Sequence, residues 1–115
     1  MTAMLFKRKH TMDVVEALAG HKAGRLVLVD VREEAERARG FAPDSMHLPL
    51  SELKQGLGEL PSDRPVAFIC QSGRRSSMAA TAARRAGLDA HNVFGGMSAW
   101  ERHGLDIHTT DRGPR

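Results

Sequence analysis

With 115 residues, 41% of them apolar and 27% charged, the chain has the size and make-up of one soluble domain with a real apolar core. Apolar stretches run only a few residues, so no segment is expected to cross a membrane. The net charge of +3 comes with 4% aromatics and no tyrosine, too little for a base-stacking platform. Nucleic acid is therefore not expected as a partner, whereas a modest positive field suits a small anion.

In chain order, short apolar runs alternate with helical segments, the pattern of an α/β domain. AMLF, residues 3–6, is expected as a first short strand, and Asp13-x-x-Glu16 reads as a capping box. The helix it opens carries Val14, Val15, Leu18 and Ala19 on its apolar face and is expected to stop at Gly20. RLVLVD, 25–30, is a continuous β-rich run of the kind covered on both faces. EEAERARG follows as a short charged helix ending at Gly40, and SMHLPL as a brief strand holding His47 with its polar edge satisfied. Ser51 is placed to cap a helix whose core stripe is Leu53, Leu57 and Leu60.

RPVAFI, 64–69, is the second buried strand, and SSMAATAARRAG a helix with Ala79, Ala82, Ala83 and Ala86 on one side, ended by Gly87. AHNVF is a weak strand, Gly95-Gly96 a tight turn, and MSAWERHG a last short helix in which Trp100 serves the core. The expected architecture is a small, mostly parallel sheet of four to five strands with helices on both faces. It fills a single domain over 1–115 with short loose tails, MTAM and TTDRGPR.

The terminus MTAMLFKRKH puts its basic residues after a very short apolar patch, the reverse of a secretory leader. Cys70 is the only cysteine, which excludes an intramolecular disulfide and fits a reducing, cytoplasmic setting. The six histidines show no metal-ligand spacing, so neither metal nor cofactor is expected. A monomer is expected.

In open α/β sheets sites form beyond the carboxyl ends of strands, which directs attention to Asp30, Cys70 and Gly95-Gly96. Cys70 opens the stretch CQSGRRS. Ser72, Gly73 and Ser76 let the backbone curl so that successive N–H groups face one anion. The following helix start adds the positive end of its dipole, and Arg74 and Arg75 add formal charge. All of these favour a thiolate over a buried inert thiol, and such settings bring a cysteine from about 8.5 to as low as about 3.5–7.5. Asp30-x-x-Glu33 reads as a capping box for the following helix, a role compatible with support of this loop by Asp30-Val31-Arg32. Gly95-Gly96 reads either as a close backbone approach or as a plain turn.

The loop resembles that of the rhodanese-like family of sulfurtransferases, where a strand-end cysteine opens a C-x-x-G-x-R/T-S-like turn. LVDVREEAERARGFAPDSMHLPL is similar to the family's D-x-R and G-H-I-x-G-A stretch, and VFGGMSAWERHGLDI to its closing G-G-x-x-x-W. Phe41, Asp44 and Asp106 stand where histidine, glycine and proline are usual. The resemblance implies that Cys70 takes the outer sulfur of a small anionic donor such as thiosulfate and carries it as a persulfide. Gln71 to Ser76 would cradle it, with Arg74 or Arg75 on the sulfonate.

The acceptor must be external, because no second cysteine exists: cyanide, a small thiol or a protein cysteine. Cysteine-dependent phosphatases and arsenate reductases space cysteine and arginine by five residues; here Ser76 stands sixth and Arg75 one place early. The remaining alternative is a non-catalytic interaction module using the same loop to dock a partner.

Overall fold

Local sequence signals set several boundaries in the computed structural model, which describes residues 9–109. The Asp13 carboxylate accepts from the Glu16 N–H at 2.8 Å and Glu16 accepts from the Asp13 N–H at 3.1 Å, so the capping box opens α1 (Val14–Lys22) as expected. Gly20 does not end this helix. It is buried inside it, where a Cβ would lie 2.6 Å from Leu26 Cδ2, so its role is close packing of α1 on Leu26. The buried side is Val14, Ala17 and Gly20, while Val15 is half exposed.

Among the described residues five strands form one sheet: β1 (Thr11–Met12), β2 (Val27–Asp30), β3 (Met46–His47), β4 (Val66–Ile69) and β5 (Ala90–Val93). Their order is β1-β5-β4-β2-β3 and every pair is parallel. The expected strand at residues 3–6 lies outside the described residues. Four further helices are α2 (Glu34–Ala38), α3 (Leu53–Gly56), α4 (Arg74–Arg85) and α5 (Gly96–Arg102). Ser51 caps nothing: it lies exposed within a 3₁₀ turn, Leu50–Glu52, that leads into α3.

The period-2 alternation of strands divides the apolar residues between two faces. Leu28, Ala67, Ile69 and Val93 pack with Val14, Met97 and Trp100 on the α1/α5 side. Val29, Val66, Phe68 and Cys70 pack with Leu53, Leu60, Ala79 and Ala83 on the α3/α4 side. Helix α4 buries Ser76, Ala79, Ala80 and Ala83, whereas Ala82 and Ala86 are exposed. The expected stripe was thus turned by about one residue, because four alanines in the same helix leave a composition-based reading little contrast between faces.

Trp100 is fully buried and its Nε1 donates to the Asp106 carbonyl at 2.8 Å. His47 Nε2 lies 2.8 Å from the Arg32 carbonyl, so its polar edge is satisfied. Asp44, where the family usually has glycine, adopts the left-handed φ of 62° that glycine takes without cost. No helix of the described residues is long and apolar enough to cross a membrane.

Candidate active site

β2 and β4 are neighbours whose chains leave in opposite directions, β2 on to β3 and β4 back towards β5. The crevice at their carboxyl ends is the reversal point where open α/β sheets place their sites. Cys70 follows β4 immediately, on the α4 side. Gly73, at φ 108°, then bends the chain into α4, which begins at Arg74, two residues before the expected start. That bend aims the Gly73 N–H at Cys70 Sγ (3.1 Å), and the first turn of α4 adds the Ser76 N–H (3.3 Å). The Ser76 hydroxyl lies 3.2 Å from the same sulfur.

Complete burial pushes the Cys70 thiol up, but the Ser76 hydroxyl and the N–H groups of Ser76, Gly73 and Ser72 outweigh it and hold the thiol below its ordinary value. The local cause is plain: donors converge on a sulfur that carries negative charge when ionised.

The loop's carbonyls face the other way. Cys70 O accepts from Met97 N–H at 2.8 Å and Gln71 O from Ser98 N–H at 3.0 Å, both in the first turn of α5. Gly96, at φ 56°, makes this contact possible, since a Cβ there would sit 2.3 Å from Cys70 O and 2.6 Å from Gln71 O. Gln71 Nε2 also donates to Ser98 Oγ at 3.1 Å. Gly95 backs the bend, its N 3.3 Å from where a Gly73 Cβ would stand.

Asp30 does not cap α2. Glu36 does so by accepting from the Glu33 N–H at 2.9 Å. Asp30 instead accepts from the Arg32 N–H (2.9 Å), Nε (3.0 Å) and Nη2 (2.8 Å), and from Arg37 Nη1 (3.3 Å). Arg32, itself buried, donates on to the Gly40 carbonyl (2.6 Å) and Gln71 Oε1 (3.3 Å). Asp30 therefore reaches the cysteine loop only through Arg32.

The two arginines of the loop divide. Arg75 is committed to Glu36 by two 2.8 Å bonds, which hold the Glu36 carboxyl at about 2. Arg74 is exposed, forms no ion pair among the described residues, and lines an open groove of about 580 Å³ with Ser72, Gly73, Met78 and Phe94. Phe41 carries the Arg37 guanidinium 4.0 Å above its ring.

Sequence reasoning missed Glu36, Ser98 and Asn92. Asn92 Oδ1 accepts from Ser76 Oγ at 2.6 Å, directly behind the sulfur. The only sequence signal was a polar residue in a short strand just ahead of Gly95-Gly96; Glu36 looked like any charged residue of a solvated helix. No group of three or more His, Cys, Asp or Glu side chains among the described residues could hold a metal ion.

A parallel α/β sheet that presents one buried cysteine to a ring of hydrogen-bond donors defines a cysteine-loop α/β protein, and comparison with known proteins gives the family. The rhodanese-like domain matches residues 13–103, and the chain belongs to that family. A protein named sulfurtransferase from Allochromatium vinosum is 41% identical over 83 residues, covering 71% of this chain and 78% of that one. A rhodanese-related protein from Thermoplasma volcanium superposes with a TM-score of 0.80 at 28% identity, over 86% of this chain and 97% of that one. A rhodanese-like domain protein from Staphylococcus aureus gives 0.76 at 28% identity, over 86% and 98%.

Proposed function

We propose that the protein is a sulfurtransferase that carries sulfur as a persulfide on Cys70. The observation that carries this reading is the convergence of the Gly73 and Ser76 N–H groups and the Ser76 hydroxyl on one sulfur. In the first step the Cys70 thiolate attacks the outer sulfur of a thiosulfate-like donor. A Cys70 S–S bond forms, the donor's S–S bond breaks, and its electron pair leaves with sulfite. In the second step an external thiolate or cyanide attacks the outer persulfide sulfur, and the electron pair returns to Cys70. The two steps sum to transfer of one neutral sulfur atom, with no oxidant, metal or cofactor required.

Arg74 takes the donor's sulfonate end, since Arg75 is tied to Glu36. The acceptor is external because Cys70 is the chain's one cysteine. A single unpaired thiol of this kind suits the reducing cytoplasm.

The phosphatase reading loses its support at the position sixth from Cys70. Ser76 stands there with its hydroxyl on the sulfur, where an arginine would be needed for a phosphate. The interaction-module reading draws on the complete burial of the Cys70 side chain. One assay separates the three: sulfite release and thiocyanate formation from thiosulfate and cyanide, run beside hydrolysis of an aryl phosphate. Sulfur transfer lost in Cys70→Ser supports the sulfurtransferase. Transfer that survives in that variant overturns the mechanism, Cys70-dependent phosphate release reinstates the phosphatase, and turnover of neither substrate by the parent protein leaves the interaction module.

A further inference from the structure

Ser76 has one hydroxyl proton and two neighbours that want it. Cys70 Sγ is 3.2 Å from Ser76 Oγ, and Asn92 Oδ1 is 2.6 Å away on the other side. When Cys70 is a thiol, all three groups are satisfied in one direction: S–H donates to Ser76 Oγ, and Ser76 O–H donates to Asn92 Oδ1. When Cys70 is a thiolate, the sulfur has no proton to give and the Ser76 hydroxyl must turn to it. That leaves Ser76 Oγ and Asn92 Oδ1 facing each other, both acceptors, at the same short distance. An amide relieves the conflict where a carboxylate cannot. Turning the Asn92 side chain over brings Nδ2–H to Ser76 Oγ, and its two ends are nearly the same size.

We infer that Asn92 is a positioning residue for Cys70, turning its amide to hand the Ser76 hydroxyl to the sulfur when the thiol ionises. The backbone at Asn92 is fixed for this task. It lies in β5 in register with Thr11 of β1 and Phe68 of β4, and its N–H donates to the His10 carbonyl at 2.8 Å. The side chain is half-buried and lines the groove that also holds Arg74. The chain Asn92–Ser76–Cys70 thus connects the groove to the buried sulfur, and it makes the loop's donor set depend on the charge of that sulfur.

The titratable and charged groups around this chain lie on every neighbouring element. They are Asp30 at the end of β2 and Arg32 beyond it, Glu36 and Arg37 of α2, Arg74, Arg75, Arg84 and Arg85 of α4, Glu101 of α5, His91 within β5, and His10 and Asp89 beside it. None of them bonds Ser76 Oγ or the Asn92 side chain. His91 is bonded to Asp89 at 2.7 Å, and the His10 and His91 rings stand 5.7 Å apart.

The inference rests on Cys70 being the reactive thiol, yet it is tested by titration and not by turnover, so it can fail while sulfur transfer stands. In the unmodified protein, the Asn92 side-chain amide NMR signals should move with pH at the midpoint at which Cys70 alkylation rises. The same movement should vanish in Cys70→Ser, and movement that persists in that variant overturns the inference. Asn92→Asp fixes an acceptor behind Ser76 and should slow alkylation at neutral pH several-fold, because it raises the thiol's pKa. In a Ser76→Ala background, where no hydroxyl is left to capture, the same substitution should slow alkylation less. Asn92 signals that stay flat through the Cys70 titration overturn the inference. An Asn92→Asp effect of equal size in both backgrounds also overturns it, by reducing it to plain charge repulsion.

Discussion

At the scale of single residues, the site depends on where each donor and charge is spent. Arg75 and Glu36 stand 39 positions apart and meet across α4 and α2 through two 2.8 Å bonds. The pair holds the Glu36 carboxyl at about 2 against an ordinary 4.5, so its contribution to stability is present above 4.5 and is lost as pH falls towards about 2. Glu36→Gln should therefore lower the urea midpoint at neutral pH, with the gap to the parent protein closing as pH drops through that window. An unchanged midpoint in Glu36→Gln, whose amide oxygen still accepts from the Glu33 N–H, would mean that Glu36 acts only as the helix cap. The pairing was invisible in the sequence, because a glutamate in an acidic helix and an arginine in a basic loop each have solvent as their default partner. The cap reading of Asp30, held beside its reading as support for the loop, fails for a related reason. Its spacing to Glu33 suits a cap, but buried Arg32 needs a carboxylate more than the N-terminus of α2 does.

At the scale of elements, two helix starts hold the cysteine loop between them. The first turn of α4 turns N–H groups towards the sulfur, and the first turn of α5 takes the loop's carbonyls. Gly96 is where α5 and the loop meet. Gly96→Ala would place a Cβ inside van der Waals range of two carbonyl oxygens at a φ of 56°. The left-handed conformation alone costs about 1–2 kcal/mol, and the clash adds to it. Urea unfolding of this variant should show at least that loss, together with altered Cys70 alkylation. Stability equal to the parent's would show that α5 does not brace the loop. The Gly95-Gly96 pair stood out in the sequence as a possible close approach; which carbonyls it approaches required the fold. Gly20 shows the same limit from the other side, since a glycine near a helix end reads as a stop until Leu26 is seen against it.

At the scale of the whole molecule, the runs RLVLVD and RPVAFI announced a buried parallel sheet because both of its faces are covered and neither strand alternates. The capping box at Asp13 and the stretch CQSGRRS were equally plain, since each is a local device whose partners lie within a few residues. The strand order, the buried face of α4 and the groove beside Arg74 were not, because each depends on contacts between distant segments. What the assembled fold contributes to chemistry is a buried sulfur at the reversal point between β2 and β4, ringed by donors and braced by Arg32 through Gln71.

The most direct test is the intact mass of the protein after brief incubation with thiosulfate and removal of the excess. One added sulfur atom is expected, mapped to Cys70, absent in Cys70→Ser, and discharged by cyanide with return to the starting mass. An unchanged mass under conditions where Cys70 alkylates readily would contradict a persulfide mechanism.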